Sequence, residues 1–146
     1  MIKIEPVTNK NFENALAVYI PSWQKSHRHI CTEAFLEKRD YAGYLKSCTE
    51  GLYLASCDEN VGVFRIYDGT LSDLYIHPDH ARKGYGTACV RFAIEKDKNL
   101  RLTVLSTNIA AIRLYKKMGF RFSGHDIQLR NDLLEREMIY MEKKYG

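Results

Sequence analysis

Residues Asn108 to Phe120 read N-I-A-A-I-R-L-Y-K-K-M-G-F, and this stretch decides the fold. Asn108 follows an apolar run and can cap a helix, and Gly119 stands where a helix needs a left-handed residue to end. Ala111 and Tyr115 are four residues apart, so they share one helix face. Because alanine leaves space between the amide and the phenol, the stretch predicts a helix that holds a ligand.

A second motif precedes it, from Leu74 to Thr87, and reads L-Y-I-H-P-D-H-A-R-K-G-Y-G-T. The pattern is that of a strand that passes through a basic glycine loop into a helix. A helix that begins near Gly84 has N–H groups without partners and a positive dipole end, and Arg82 and Lys83 add charge. The motif predicts a phosphate site. Rossmann and Walker loops fit less well, since Cys89 stands where the first needs glycine or alanine and no Gly-Lys-Ser/Thr occurs.

Together, in this order and spacing, the two motifs resemble the Gcn5-related N-acetyltransferases (GNAT) over roughly Asp73 to Phe122. The resemblance implies an α/β (α+β) fold with a single N-acetyltransferase domain over 1–146. It implies a mixed central sheet of about seven strands with flanking helices and a splayed parallel strand pair, in which 71–77 diverges from 100–105. It also implies an enzyme that uses acetyl-CoA as co-substrate and no metal.

By this resemblance, three segments bind the cofactor. The first strand pairs with the pantetheine arm, the glycine loop binds the diphosphate, and the later helix lines the pantetheine path up to the sulfur. The predicted set is Leu74, Ile76, Arg82, Lys83, Gly84, Tyr85, Gly86, Thr87, Asn108, Ala110, Ala111 and Tyr115. Ala81 stands where the family carries Gln or Arg, which predicts weaker phosphate binding rather than its loss.

Two residues are predicted to be catalytic. The resemblance places Tyr115 near the CoA sulfur, where a phenol of reference pKa about 10 can protonate the leaving thiolate; the alternative is a core aromatic. Asp73 is the carboxylate nearest the predicted acetyl position and a candidate base; the alternative is an exposed strand aspartate. Because strand side chains alternate, Asp73 is expected to face away from Ser72 and Leu74 unless a bulge intervenes.

The acceptor depends on the segment from Tyr19 to Tyr44. Within it, Trp23, His27 and His29 are predicted to face the substrate, and His27, His29 or Glu33 could relay a proton. The leading prediction is transfer of acetyl to a primary amine of a small molecule by direct attack.

Two other functions stay open. One is acetylation of a protein N-terminus or lysine, although the ribosomal-protein alanine acetyltransferases carry Glu and Arg where this chain has Thr103 and Leu105. The other, from a different class, is a CoA-binding sensor without catalysis.

Composition agrees with a globular enzyme. The 146 residues are 45% hydrophobic and 27% charged, and a net charge of +4 suits a polyanionic cofactor but is low for a nucleic-acid binder. We expect no nucleic-acid partner. Neither a signal peptide nor a membrane span is recognisable, so we expect no membrane association and a cytoplasmic location. Dimerisation is common in the family, so a homodimer is allowed, but no sequence signal supports it.

Hydrophobic periodicity predicts the remaining elements. A first helix should run past Tyr19 until Pro21 interrupts it, and a second should run from Thr32 to about Lys46. A further helix is expected at 87–98. Strands are expected at 2–7, 52–57, 61–67, 71–77, 100–105, 121–129 and 135–142, with turns at 58–60, 68–69 and 131–132.

Overall fold

The computed structural model describes residues 1–142 and contains seven strands and five α-helices in that range. The strands are β1 (Lys3–Pro6), β2 (Leu52–Cys57), β3 (Glu59–Tyr67), β4 (Thr70–Ile76), β5 (Arg101–Leu105), β6 (Phe120–Arg130) and β7 (Leu133–Tyr140). The helices are α1 (Phe12–His27), α2 (Glu33–Lys38), α3 (Tyr41–Ser47), α4 (Tyr85–Lys96) and α5 (Ile109–Lys117), with a 3₁₀ turn at Pro78–His80.

The sheet is mixed and has the strand order β1-β2-β3-β4-β5-β7-β6. β4 and β5 pair in parallel at Thr70 and Arg101, the first residue of each strand. β1 with β2, β2 with β3, β5 with β7 and β6 with β7 pair antiparallel. The predicted α/β class, with its seven-stranded sheet and parallel pair, is confirmed.

The chain forms two compact units, one from residues 1–65 and 73–89 and the other from 66–72 and 90 onward. The first has a buried core of Val7, Ala15, Val18, Tyr19, Tyr41, Leu45, Leu52, Leu54 and Val63. In the second, the buried side chains include Leu71, Val90, Ala93, Leu100, Leu102, Tyr115, Phe120 and Met138. The single domain over 1–146 stays a prediction, and its last four residues lie outside the described range. Within 1–142 no helix has the length and apolar character to cross a membrane.

The prediction that Pro21 interrupts the first helix is wrong. α1 continues through Pro21 to His27, although proline removes one helical hydrogen bond at a cost of about 3 kcal/mol. Ser22, just after it, is buried and its hydroxyl donates to the Val18 carbonyl at 2.5 Å. Trp23 packs against the core of the first unit. The packing of the half-buried Trp23 on this core, together with the buried Ser22, offsets part of the cost of the proline.

The single helix predicted from Thr32 to about Lys46 is also wrong, because the chain forms α2 and α3 instead. Arg39 is extended, with φ −60° and ψ 135°, and ends α2. Asp40 then caps α3 by accepting from the N–H of Gly43 at 2.9 Å. An aspartate cap competes with helix continuation, since its carboxylate satisfies a free N–H at the new start.

Tight turns connect β2 to β3 and β3 to β4, as predicted, and the first of these turns is shorter than expected. Asp68 and Gly69 have φ of 50° and 72°, the signs that a type I′ hairpin turn requires. The expected turn at 58–60 is shorter than predicted, because Asp58 alone takes a positive φ, 65°, and Glu59 already belongs to β3.

Candidate active site

The glycine loop places a helix start in the first unit. Gly84 has φ +84°, and a Cβ built on it would meet no atom within 4 Å, so glycine is needed there for the backbone conformation and not for space. Arg82, which is exposed, also has a positive φ, 64°. The first turn of α4 carries no acidic residue. The loop therefore combines positive charge with a helix N-terminus, which together favour an anion.

Three backbone N–H groups precede the first helical hydrogen bond of α4. That bond runs from the N–H of Ala88 to the Gly84 carbonyl at 3.2 Å, which leaves Tyr85, Gly86 and Thr87 without partners inside the helix. The Tyr85 side chain is engaged elsewhere, because a hydrogen bond with the Cys57 thiol raises the pKa of its phenol. The main-chain N–H of Tyr85 thus remains available to an anion.

β4 carries the predicted cofactor strand and Asp73. Asp73 has φ +53°, a left-handed conformation inside a strand, so the regular alternation of side chains is interrupted there. The expected alternation allowed for a bulge, and Asp73 is the position at which the strand departs from it. Leu74 and Ile76 are half-buried, and the Ile76 side chain lies over Gly62 of β3, where an added Cβ would come within 2.8 Å of its Cδ1.

The Asp73 carboxylate is held by Tyr44. The Tyr44 hydroxyl lies 3.1 Å from Oδ2 and 3.2 Å from Oδ1 and donates to the carboxylate. Burial first, and the negative charge of Asp73 second, raise the pKa of the Tyr44 phenol. The phenol therefore stays protonated and remains a donor to Asp73 at physiological pH.

Arg39 lies among four aromatic rings, a group we call the arginine cage. Its guanidinium carbon is 4.1 Å from the ring centroid of Trp23, 4.8 Å from Tyr44, 4.9 Å from Tyr41 and 5.6 Å from Tyr19. Nη2 donates to the Tyr19 hydroxyl at 3.0 Å. Burial raises the pKa of the Tyr19 phenol, and Arg39 opposes that rise. Within residues 1–142 Arg39 forms no salt bridge, and cation–π contact with several rings holds its guanidinium.

Of the predicted substrate residues, the structure brings two together. His27 stacks on Trp23, with centroids 3.8 Å apart and planes 7° apart, and its Nδ1 lies 2.9 Å from the Trp23 carbonyl oxygen. Burial lowers the pKa of His27, which favours the neutral imidazole. His29 is exposed, and Glu33 pairs with Arg28 at 3.2 Å.

In the second unit, α5 matches the prediction closely. Asn108 caps the helix, with its side-chain oxygen accepting from the Ala111 N–H at 3.2 Å, and Gly119 follows the helix with φ +108°. Ala110 is exposed and Ala111 half-buried. These local signals place the helix start and end where the sequence predicts them.

Tyr115 is a buried side chain of α5. Its ring packs edge-to-face on Phe120, with centroids 5.8 Å apart. Burial raises the pKa of its phenol to about 12. The group is therefore protonated throughout the neutral range and is suited to donating a proton rather than accepting one.

The residues that sequence reasoning missed are Arg39 and the tyrosines around it. Tyr19, Tyr41 and Tyr44 lie in the segment predicted to decide the acceptor, but Arg39 had no role. A signal was present in the pair Arg39-Asp40, where an aspartate that can cap a helix marks a break just after a large cation. No local rule places that cation on ring faces of another helix.

Comparison with known proteins then identifies the class. Residues 11–120 match the acetyltransferase (GNAT) family, and the chain belongs to this family. The molecule is an acetyl-CoA-dependent N-acetyltransferase, as the resemblance implied.

Individual relatives agree with this assignment. The chain is 26% identical over 125 residues to peptidyl-lysine N-acetyltransferase YjaB of Salmonella typhimurium, covering 85% of this chain and 86% of that protein. The solution structure of apo YjaB from Escherichia coli superposes with a TM-score of 0.72 at 22% identity, over 98% of this chain and 99% of that one. PaiA N-acetyltransferase of Thermoplasma acidophilum, solved with coenzyme A, gives 0.69 at 21% identity, over 96% and 99%. The two structural likenesses concern the fold.

Proposed function

We propose that the protein transfers acetyl from acetyl-CoA to a primary amine of a small molecule by direct attack, without a covalent enzyme intermediate. The observation that carries the acceptor side of this proposal is the Asp73 carboxylate, held by the Tyr44 hydroxyl at 3.1 and 3.2 Å. A carboxylate fixed in this way can take a proton from an amine directly or through water.

On the cofactor side, the residues present suit coenzyme A. The N–H groups at the start of α4, with Arg82 and Lys83, would bind the diphosphate, because that helix start is cationic and has no acidic residue in its first turn. The backbone of Leu74 and Ile76 would hold the pantetheine arm, and Asn108, Ala110 and Ala111 would line its path. PaiA of Thermoplasma acidophilum has been solved with coenzyme A, which supports binding by this fold.

The chemistry then divides between two side chains. The amine nitrogen forms a C–N bond with the acetyl carbonyl carbon while the C–S bond breaks. The proton lost by the amine goes to Asp73, and Tyr115 gives its phenolic proton to the departing thiolate. A phenol whose pKa is raised to about 12 by burial stays protonated until negative charge develops on sulfur. Positioning of the two reactants supplies much of the remaining acceleration.

A second candidate acceptor is the lysine side chain of a protein. Its support is the name of the curated relatives from Salmonella typhimurium and Escherichia coli, both peptidyl-lysine N-acetyltransferases at 26% and 25% identity. Acetylation of a protein N-terminus ranks lower, because Thr103 and Leu105 replace the Glu and Arg of the alanine-specific enzymes. A cofactor-binding sensor ranks last, since the tyrosine expected to protonate the thiolate is retained.

In the deciding experiment the protein is assayed with acetyl-CoA and each member of a panel of small primary amines, lysine peptides and N-terminal alanine peptides. The release of free thiol from CoA is measured. We expect turnover of at least one small amine with kcat/KM at least about tenfold above that for any peptide. Preference for the lysine peptides would replace the leading proposal by the second. If no acceptor in the panel leads to thiol release, the result would favour the cofactor-binding sensor.

Asp73→Asn tests the base. Asn is a matched replacement because it tolerates a left-handed backbone as well as Asp does. We expect turnover at neutral pH to fall by about ten- to a hundredfold and to recover as pH rises, because the amide cannot take a proton and the variant depends on amine already neutral in solution. The measurement is kcat from pH 6 to 10 with one saturating amine.

Tyr44→Phe serves as the companion variant. It keeps the carboxylate and the ring but removes the hydroxyl that holds Asp73. We therefore expect a smaller decrease in turnover than in Asp73→Asn, and a pH profile with the parent's shape. An Asp73→Asn profile identical to the parent's would exclude Asp73 as the base and direct the search to His27.

A further inference from the structure

The Arg39 guanidinium has hydrogen-bonding capacity that the chain does not use. A guanidinium carries five N–H donors, and the bond from Nη2 to the Tyr19 hydroxyl accounts for one of them. Among the buried side-chain nitrogens and oxygens of residues 1–142, Nη1 of Arg39 is the atom without a hydrogen-bond partner. The arginine ion pairs in that range involve Arg28, Arg130 and Arg136.

This arrangement is energetically incomplete. Buried polar groups are almost always satisfied, and a desolvated charge is costly unless an opposite charge or several hydrogen bonds compensate it. The four rings of the arginine cage compensate only part of that cost, because a ring face does not replace an oxyanion that accepts from two N–H groups at once. Nη1 of Arg39 therefore has an unused capacity to donate to an oxyanion.

The cage is connected to the proposed base through one side chain. Tyr44 presents its ring face to Arg39 at 4.8 Å and its hydroxyl to Asp73 at 3.1 Å. A cation therefore lies over the ring face of this tyrosine and a carboxylate lies at its hydroxyl. Tyr44 is 38% exposed, whereas Tyr19 and Tyr41 are buried, so Tyr44 forms the solvent side of the cage.

We propose that Arg39 recognises a carboxylate on the acceptor, so that the substrates are small amines that also carry a carboxylate. This rests on the proposed function and narrows it. Asp73 faces the amine end and Arg39 the carboxylate end, a charge pattern complementary to a zwitterion. The planar guanidinium matches a carboxylate in a bidentate geometry. A lysine side chain in a protein carries no carboxylate next to its amine and would leave Arg39 unpaired.

The test uses pairs of amines that differ only in the carboxylate, namely phenylalanine with 2-phenylethylamine and leucine with 3-methylbutylamine. Wild-type enzyme and saturating acetyl-CoA are used at pH 9 and 10, where the different amine pKa values matter least. We expect kcat/KM to be about ten- to a hundredfold higher for the carboxylate-bearing member of each pair, which corresponds to the energy of a charge-assisted hydrogen bond. The difference should arise from a lower KM and not from a higher kcat.

Two variants assign the preference to Arg39. Arg39→Met keeps a long side chain that packs on aromatic rings but removes the charge, and we expect the ratio within each pair to fall to about one. Arg39→Lys keeps the charge without the planar fork and should retain part of the ratio. Thermal melting and acetyl-CoA binding report whether each variant is folded. If Arg39→Met does not fold, inhibition of the wild type by 3-phenylpropionate, competitive with the amine, supports the proposal and its absence opposes it.

A ratio near or below one in the wild-type enzyme overturns the inference. If both members of a pair are still acetylated, the proposed function stands and only the carboxylate preference is lost. Turnover of lysine peptides in preference to every small amine overturns both. An unchanged ratio in folded Arg39→Met would show that another group binds the carboxylate and that the cage only stabilises the fold.

Discussion

The Tyr115→Phe variant is expected to turn over about ten- to a thousandfold more slowly than the parent while binding acetyl-CoA with the same affinity. The phenol matters only as charge reaches the sulfur, so its loss raises the barrier and leaves ground-state binding unchanged. Because burial holds its pKa near 12, the donor is protonated throughout the assay range, and the deficit should be the same at every pH from 7 to 10. Thiol release gives kcat, and calorimetry gives the affinity.

Tyr140→Phe is the matched control for that experiment. Tyr140 also packs edge-to-face on Phe120, with centroids 5.6 Å apart compared with 5.8 Å for Tyr115. Tyr140→Phe therefore removes a phenolic oxygen from a second ring that contacts Phe120. We expect its turnover to stay within about twofold of the parent, the small effect typical of a change away from the reacting atoms. Equal turnover in Tyr115→Phe and the parent would return Tyr115 to the role of a core aromatic.

Features set by local rules were predictable from the sequence. Asn108 caps α5 because a short amide can reach the N–H of Ala111, and Gly119 ends it because a left-handed residue is needed there. Asp68-Gly69 forms the hairpin turn for the same kind of reason. Each depends on fewer than about five neighbouring residues, so spacing alone carries the information.

Features set by packing between distant segments were not predictable. The local rule for Pro21 ends α1, but the helix continues to His27, and Trp23 in the next turn packs against the core of the first unit. The position of Arg39 depends on where α1 and α3 place Tyr19, Trp23 and Tyr44, which no spacing rule gives. The segment proposed to form the acceptor side was therefore predicted as a whole, and the position of Arg39 within it was not predicted.

Gly86→Glu is expected to weaken acetyl-CoA binding by about ten- to several hundredfold without unfolding the chain, since like charges a few ångströms apart repel by about 1–4 kcal/mol near a protein surface. Gly86 lies in the first turn of α4, where no acidic residue stands. A carboxylate there would face the same N–H groups that are proposed to bind the diphosphate. The helix itself gains from the change, because an acidic residue in the first turn is worth about 0.3–1 kcal/mol.

Opposite effects on binding and on stability make this variant decisive. The free protein should melt at or above the parent temperature, while the rise in melting temperature that acetyl-CoA gives the parent by mass action should disappear. Gly86→Ala, which adds only a methyl group in helical backbone, should keep that rise. Gly86→Gln has the size of Glu without its charge. Its affinity for acetyl-CoA should lie between those of Gly86→Ala and Gly86→Glu, which separates the effect of charge repulsion from that of side-chain size. Unchanged affinity in folded Gly86→Glu would mean that the loop is only a turn and that the diphosphate binds elsewhere, because a charge placed against a bound diphosphate cannot leave its affinity unaltered.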